Sequence, residues 1–131
     1  MVFGIGADLV DIPRIESLLL HFGESFVRKV LTPLEQTIYH DKPSPKRAAF
    51  LAKRFAAKEA LLKALGTGLT SGISWHDMEI TSTPSGAPYM SLSGQARAHA
   101  LTASDGKEFK AHLSLSDSQT LAQAFVTLES I

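Results

Sequence analysis

Apolar and polar positions along the chain change period several times. Residues 2–12 are apolar and β-branched, with glycines at 4 and 6, and they predict a strand. Strict alternation puts Gly4, Gly6 and Asp8 on one face and Phe3, Ile5 and Leu9 on the other. Pro13 ends the strand and opens a helix, because its fixed φ suits the first helical position. Ile15, Leu18, Leu19 and Phe22 then recur at helical spacing over residues 14–22. Gly23 breaks that pattern, and a short helix over residues 24–30 carries Phe26, Val27 and Val30. Thr32-Pro33-Leu34-Glu35 supplies an N-cap, a proline at the first helical position and an acid in the first turn of a third helix, residues 33–40.

Lys42-Pro43-Ser44-Pro45 reads as a linker into the longest helical stretch, residues 45–65, rich in Ala, Leu, Lys and Arg. Gly66-Thr67-Gly68 stops it, and a polar stretch follows to His76. Residues 78–82 and 88–92 predict a hairpin around Thr83-Pro84-Ser85-Gly86-Ala87. Ser93-Gly94 starts a helix running to Thr102, and Asp105-Gly106 is a turn. Residues 108–116 and 121–128 predict two final strands. The order of elements, with four consecutive helices and paired strands, is α+β and not a doubly wound parallel sheet.

At 131 residues the chain fits a single domain, residues 1–131. Its balance of 44% hydrophobic and 20% charged residues excludes a disordered tail, a collagen or a coiled coil. The absence of cysteine excludes disulfides, thiolate zinc sites and a cysteine nucleophile. No apolar run is long enough to span a membrane, and the first residues lack the features of a signal peptide, so a cytoplasmic location is expected.

The zero net charge hides an asymmetry. Residues 42–66 contain Lys42, Lys46, Arg47, Lys53, Arg54, Lys58 and Lys63 against the single acid Glu59, so this segment is +6 and the remainder −6. Such a segment suits an anion, although charge runs are most often solvated helix faces. Leu51, Phe55, Leu62 and Leu65 fall within about 80° on a helical projection, and Lys58 lies inside that stripe. A lysine there must snorkel to water or hold an anion. Glu59 borders the stripe one turn before Lys63, a spacing worth only about 0.2–0.5 kcal/mol as a surface pair.

Asp8 is a carboxylate inside an apolar strand beside two glycines that permit close approach. It can serve as a structural acceptor. Paired with Glu59, it can also bind a hard divalent cation such as Mg²⁺, which takes one or two carboxylates and fills its shell with water and phosphate oxygens. In residues 109–116 the even positions are polar, so His112, Ser114 and Ser116 share a face. The sequence holds no GxGxxG, P-loop, GxSxG or HExxH motif. Gly66-Thr67-Gly68 is a C-cap or a set of amides for a phosphate, at the helix end where the dipole gives no help.

Together these segments resemble the holo-[acyl-carrier-protein] synthases. Residues 4–15, Gly-Ile-Gly-Ala-Asp-Leu-Val-Asp-Ile-Pro-Arg-Ile, resemble the start of that family. Residues 54–68, Arg-Phe-Ala-Ala-Lys-Glu-Ala-Leu-Leu-Lys-Ala-Leu-Gly-Thr-Gly, resemble its signature helix. Ser85-Gly86-Ala87-Pro88 and His112-Leu113-Ser114-Leu115-Ser116-Asp117 match in the same order. The resemblance implies a 4′-phosphopantetheinyl transferase fold, with an antiparallel sheet packed on a long central helix. It implies transfer of 4′-phosphopantetheine from coenzyme A to a serine of apo-acyl carrier protein, with release of adenosine 3′,5′-bisphosphate. It further implies dependence on Mg²⁺, a homotrimer with the site between subunits, and a role in fatty acid biosynthesis.

By position, the resemblance makes Asp8 and Glu59 metal ligands and Lys63 a catalytic residue. Lys58, Lys63, Gly66, Thr67 and Gly68 would follow the coenzyme A phosphates, with Arg54 nearby. Gly86 and Pro88 would flank the adenine, and His112 would reach the 3′-phosphate end from a neighbouring subunit. Arg14 and Arg28 would receive the acidic carrier protein. Asp117 departs from the family, many of whose members carry histidine there. The general base stays open between a metal-activated water, Glu59 and a carboxylate of the carrier protein. Two other classes fit the basic segment alone: a non-catalytic module that docks an acidic protein, and a nucleic-acid binder. The first has no use for Asp8. The second would carry exposed aromatics or an arm of Arg and Lys, and the lone Trp and both Tyr fall outside the basic segment.

Overall fold

The computed structural model describes residues 1–70 and 72–131. It contains β1 (Val2–Asp11), α1 (Ile12–Phe22), α2 (Glu24–Val30), α3 (Pro33–Asp41) and α4 (Ser44–Leu65). A 3₁₀ turn (Trp75–Asp77) follows, then β2 (Met78–Ser82), β3 (Pro88–Leu92), α5 (Gly94–Ala103), β4 (Phe109–Asp117) and β5 (Leu121–Ser130). The 3₁₀ turn falls inside the polar stretch that carries no periodicity. The other boundaries lie within two residues of those expected from patterning and punctuation.

The strands form two antiparallel sheets, one ordered β1-β5-β4 and the other a β2-β3 hairpin. One face of the three-stranded sheet packs on α4, and the other is open. Alternation assigns the rows. Ala122, Ala124, Val126 and Leu128 of β5 are fully buried, while Phe125 is 46% exposed. On β4, Ala111, Leu113 and Leu115 pack against the core, and His112, Ser114 and Ser116 point out, as the sequence pattern requires. On β1 the inward row is Gly4, Gly6, Asp8 and Val10, whereas Ile5 and Leu9 lie on the open face at 62% exposure each.

It is unusual for the glycine row to face the core, and the reason is steric. A Cβ on Gly6 would stand 1.9 Å from the carbonyl oxygen of Ala60, and one on Gly4 would stand 2.4 Å from that of Ala64. The strand therefore lies directly on the helix backbone, and two glycines set the distance. Gly6→Ala is expected to lower stability by about 1–3 kcal/mol, the usual range for overpacking, which a urea titration measures.

The sequence pattern assigns α4 one apolar stripe, but the helix is buried on most of its circumference. Phe50, Leu51, Ala52, Ala56, Ala57, Ala60, Leu61 and Leu62 are all covered. Its alanines meet the sheet, while α1 and α3 pack elsewhere on it. Among the described residues, no helix is long and apolar enough to cross a membrane.

Candidate active site

Strand β1 and helix α4 run past each other, Gly4 over Ala64 and Gly6 over Ala60. Two strand residues advance about 6.6 Å and four helical residues about 6 Å, so the next inward position, Asp8, falls level with the turn that ends in Glu59. Lys63 reaches back one turn. Its Nζ donates to Asp8 Oδ1 at 3.0 Å and to the Ala7 carbonyl at 3.0 Å. The Glu59-to-Lys63 spacing thus does not produce the surface pair it permits, because Lys63 spans from helix to strand instead.

Two carboxylates and one ammonium now stand together. Burial pushes the Glu59 carboxyl above its ordinary pKa, the neighbouring Asp8 charge adds to this, and Lys63 and Arg14 oppose it. Asp8→Asn removes the like charge and frees Lys63 to face Glu59, so the Glu59 pKa is expected to fall in that variant, as a carboxyl NMR titration would read. The linkage sign follows. Just above pH 4.5 the folded chain keeps a proton that the unfolded chain has lost, so this group makes stability fall as pH rises through that window.

Beyond Lys63, Gly66 caps α4 in the left-handed conformation, φ 74°, and its N–H donates to the Leu62 and Lys63 carbonyls. The Thr67 N–H also donates to Leu62, at 3.3 Å. Two of the turn's amides are therefore committed to ending the helix. The turn offers space instead: a Cβ on Gly66 or Gly68 would meet nothing within 4 Å.

Lys58 requires a correction. Its side chain is completely buried and does not line a ligand surface. Nζ donates to Glu35 Oε1 at 2.7 Å, to the Val30 carbonyl at 2.6 Å and to the Trp75 carbonyl at 3.3 Å. All three ammonium protons are used. Glu35, also fully buried, accepts from the Thr32 and Ile80 amides as well. The lysine in the apolar stripe does hold an anion, but that anion belongs to its own chain. The Thr32 N-cap and the first-turn acid Glu35 read from the sequence both form, and together they close a capping box. Nothing in that signal shows that the same carboxylate neutralises a lysine 23 positions away.

A separate basic groove of about 300 Å³ lies nearer the start of α4, lined by Lys42, Phe50, Lys53, Arg54, Ser82, Gly86, Pro88 and Leu115. Arg54 rests on the Phe50 ring, its Cζ 4.2 Å from the centroid. Arg54 Nε is buried with no hydrogen-bond partner among the described residues, an arrangement that calls for an anion. The groove joins Arg54 to Gly86 and Pro88 and adds Lys42 and Lys53. These were visible only as part of a charge run. His112 lies outside it. That residue lines a neighbouring groove of about 480 Å³ between β3 and β4, and its Nε2 lies 2.9 Å from Glu129 Oε1. Arg14 and Arg28 are exposed on α1 and α2.

Residues 4–126 match the model of the 4′-phosphopantetheinyl transferase superfamily. A holo-[acyl-carrier-protein] synthase from Methylobacterium sp. (strain 4-46) is 48% identical over 100% of this chain and 96% of its own length. The crystal structure of the holo-[acyl-carrier-protein] synthase from Neisseria meningitidis superposes with a TM-score of 0.86 at 37% identity, covering 99% of this chain and 100% of that one. The synthase from Bacillus anthracis, solved in complex with CoA (3′,5′-ADP), gives 0.82 at 34% identity, covering 100% and 99%. The fold is that of a phosphopantetheinyl transferase. Within that superfamily, the chain belongs to the holo-[acyl-carrier-protein] synthases.

Proposed function

We propose that this chain transfers 4′-phosphopantetheine from coenzyme A to a serine hydroxyl of apo-acyl carrier protein, releasing adenosine 3′,5′-bisphosphate, in the cytoplasm and in support of fatty acid biosynthesis. The observation that carries this reading is the meeting of Asp8 and Glu59 with Lys63 across them. Displacement at a pyrophosphate needs charge neutralisation and alignment more than a protein nucleophile. Asp8 on β1 and Glu59, the one acid of an otherwise basic α4, suit Mg²⁺, which takes one or two protein carboxylates. They number fewer than a cage of three or more ligands, and no such cluster occurs among the described residues. Asp8 and Glu59 would hold the ion, whose chemistry is to bind the pyrophosphate oxygens and stabilise charge on the leaving group.

Lys63, 56% exposed beyond its contact with Asp8, would neutralise the phosphates. The open Gly66-Thr67-Gly68 turn would let them pass. The Arg54 groove, about 13 Å along α4 from Lys63 by helical rise, would receive the adenosine end with its 3′-phosphate. Gly86 and Pro88 would lie against the base there. The open sheet face supports a homotrimer. In cross-strand register it presents Ile5, Thr127 and His112, then Ala7, Phe125 and Ser114. Packing that face against a second copy would cover Ile5, Leu9 and Phe125 and bring His112 to a neighbour's nucleotide. Arg14 and Arg28 would meet the acidic carrier protein.

The test is intact-mass spectrometry of an apo-acyl carrier protein after incubation with this chain, coenzyme A and Mg²⁺. A gain of one phosphopantetheine that EDTA abolishes is the expected result. No gain, with no coenzyme A binding, would overturn the reading.

A further inference from the structure

Asp117 is the last residue of β4, and its parity matters. The inward row of that strand is Phe109, Ala111, Leu113 and Leu115, all apolar and partly buried. Asp117 continues the row. It pairs with the buried Ala122 of β5 and stands at the strand end, where it lines a recess of about 240 Å³ with Leu9, Ser116 and Gln123 while its carboxylate reaches across to Lys53 of the basic groove. Its Oδ1 stands 3.3 Å from Lys53 Nζ. Of the three groove cations, Lys42 and Arg54 lie over the Phe50 ring, and only Lys53 has an ion-pair partner among the described residues.

We infer that Asp117 is an internal competitor for the groove's anion. It neutralises Lys53 in the free protein and yields that lysine to a phosphate when the nucleotide binds. Both side chains are partly open, at 28% and 37% exposure, and an ion pair this exposed to water is weak enough for a phosphate dianion to displace. Asp117 thereby sets the affinity for the phosphate-bearing end of the ligand, and it keeps the released bisphosphate from being held. This inference rests on the reading that places the coenzyme A nucleotide in the Arg54 groove.

Calorimetry with 3′,5′-ADP and with 3′-dephospho-coenzyme A separates the two readings. For Asp117→Asn, affinity for 3′,5′-ADP is expected to rise about two- to fivefold at low salt, the range open to an exposed pair, with 3′-dephospho-coenzyme A unaffected. In a Lys53→Gln background the same change should have no effect. In turnover, KM for coenzyme A should fall without a rise in kcat. Unchanged or weakened 3′,5′-ADP binding would overturn the inference. So would equal tightening of the dephospho compound, or tightening that persists without Lys53. If the wild-type chain binds neither ligand, the groove assignment fails, and this inference fails with it.

Discussion

Glu59→Gln should abolish transfer, by at least about a hundredfold in kcat/KM, while leaving the protein at least as stable as the parent. The two halves of that result have one cause. Glu59 is a carboxyl drawn away from water and set beside Asp8, and both factors disfavour its charge. Asp8 has first claim on Lys63, so Glu59 lacks the partner its spacing would otherwise provide. When Glu59 is ionised, the fold therefore carries an anion that Lys63 and Arg14 offset only in part. Glutamine keeps the shape and removes the charge, so thermal unfolding should shift upward or not at all. On the proposed reading, transfer requires a second anionic oxygen beside Asp8, and glutamine cannot supply it. Intact-mass assays and thermal unfolding of the same preparation check both halves. Normal turnover in Glu59→Gln would remove the metal assignment. Lost turnover with a large loss of stability would make Glu59 a structural residue.

The arrangement also explains why a basic helix contains one acid. The strand brings Asp8 onto α4 only because Gly4 and Gly6 let the two backbones touch. A side chain at either glycine would lift the strand and part Asp8 from Lys63. The site is thus built by a packing distance as much as by its own residues.

What could be read in advance was local. Alternation in β1 and β4, the proline and glycine punctuation and the Thr32 cap depend on neighbours a few residues apart, and the structure follows them closely. The pairing of Asp8 with Lys63 spans 55 positions, and that of Lys58 with Glu35 spans 23. No periodicity encodes those distances. Family resemblance put Asp8 and Lys63 in one site, but it placed Lys58 along the coenzyme A phosphates, whereas the structure buries it against Glu35. The apolar run of Phe125, Val126 and Leu128 does not by itself say which face each residue takes. Pairing with β1 and β4 fixed their parity, sending Phe125 to the open face and the other two inside. The groove around Arg54 depended on which basic residues turn toward the β2-β3 hairpin, and a charge count cannot say that.

Lys58→Ala should cost about 3–5 kcal/mol of stability, the range for breaking a buried ion pair by deleting one partner. With an unfolding entropy of about 2.1 cal/mol/K per residue, a domain of this size loses about 3–4 °C per kcal/mol, so thermal unfolding should drop by about 10–18 °C. The loss exceeds that of an ordinary cavity because the ammonium serves four elements at once. It ties α4 to the end of α2 through Val30, to the 3₁₀ turn through Trp75 and to α3 through Glu35, and Glu35 in turn holds the Ile80 amide of β2. Removing Lys58 leaves a buried carboxylate without a counterion. Glu35→Gln is the complementary test. Burial holds the Lys58 ammonium below its ordinary pKa, and Glu35 is the main opposing influence. Without Glu35, the unfolded chain binds more protons than the folded one between the lowered value and 10.5, so stability should recover as pH rises through that window. Coenzyme A affinity of the folded Lys58→Ala protein, measured by calorimetry in the cold, should be unchanged, because the ammonium faces only its own chain. A variant of normal stability with weakened coenzyme A binding would return Lys58 to the ligand site.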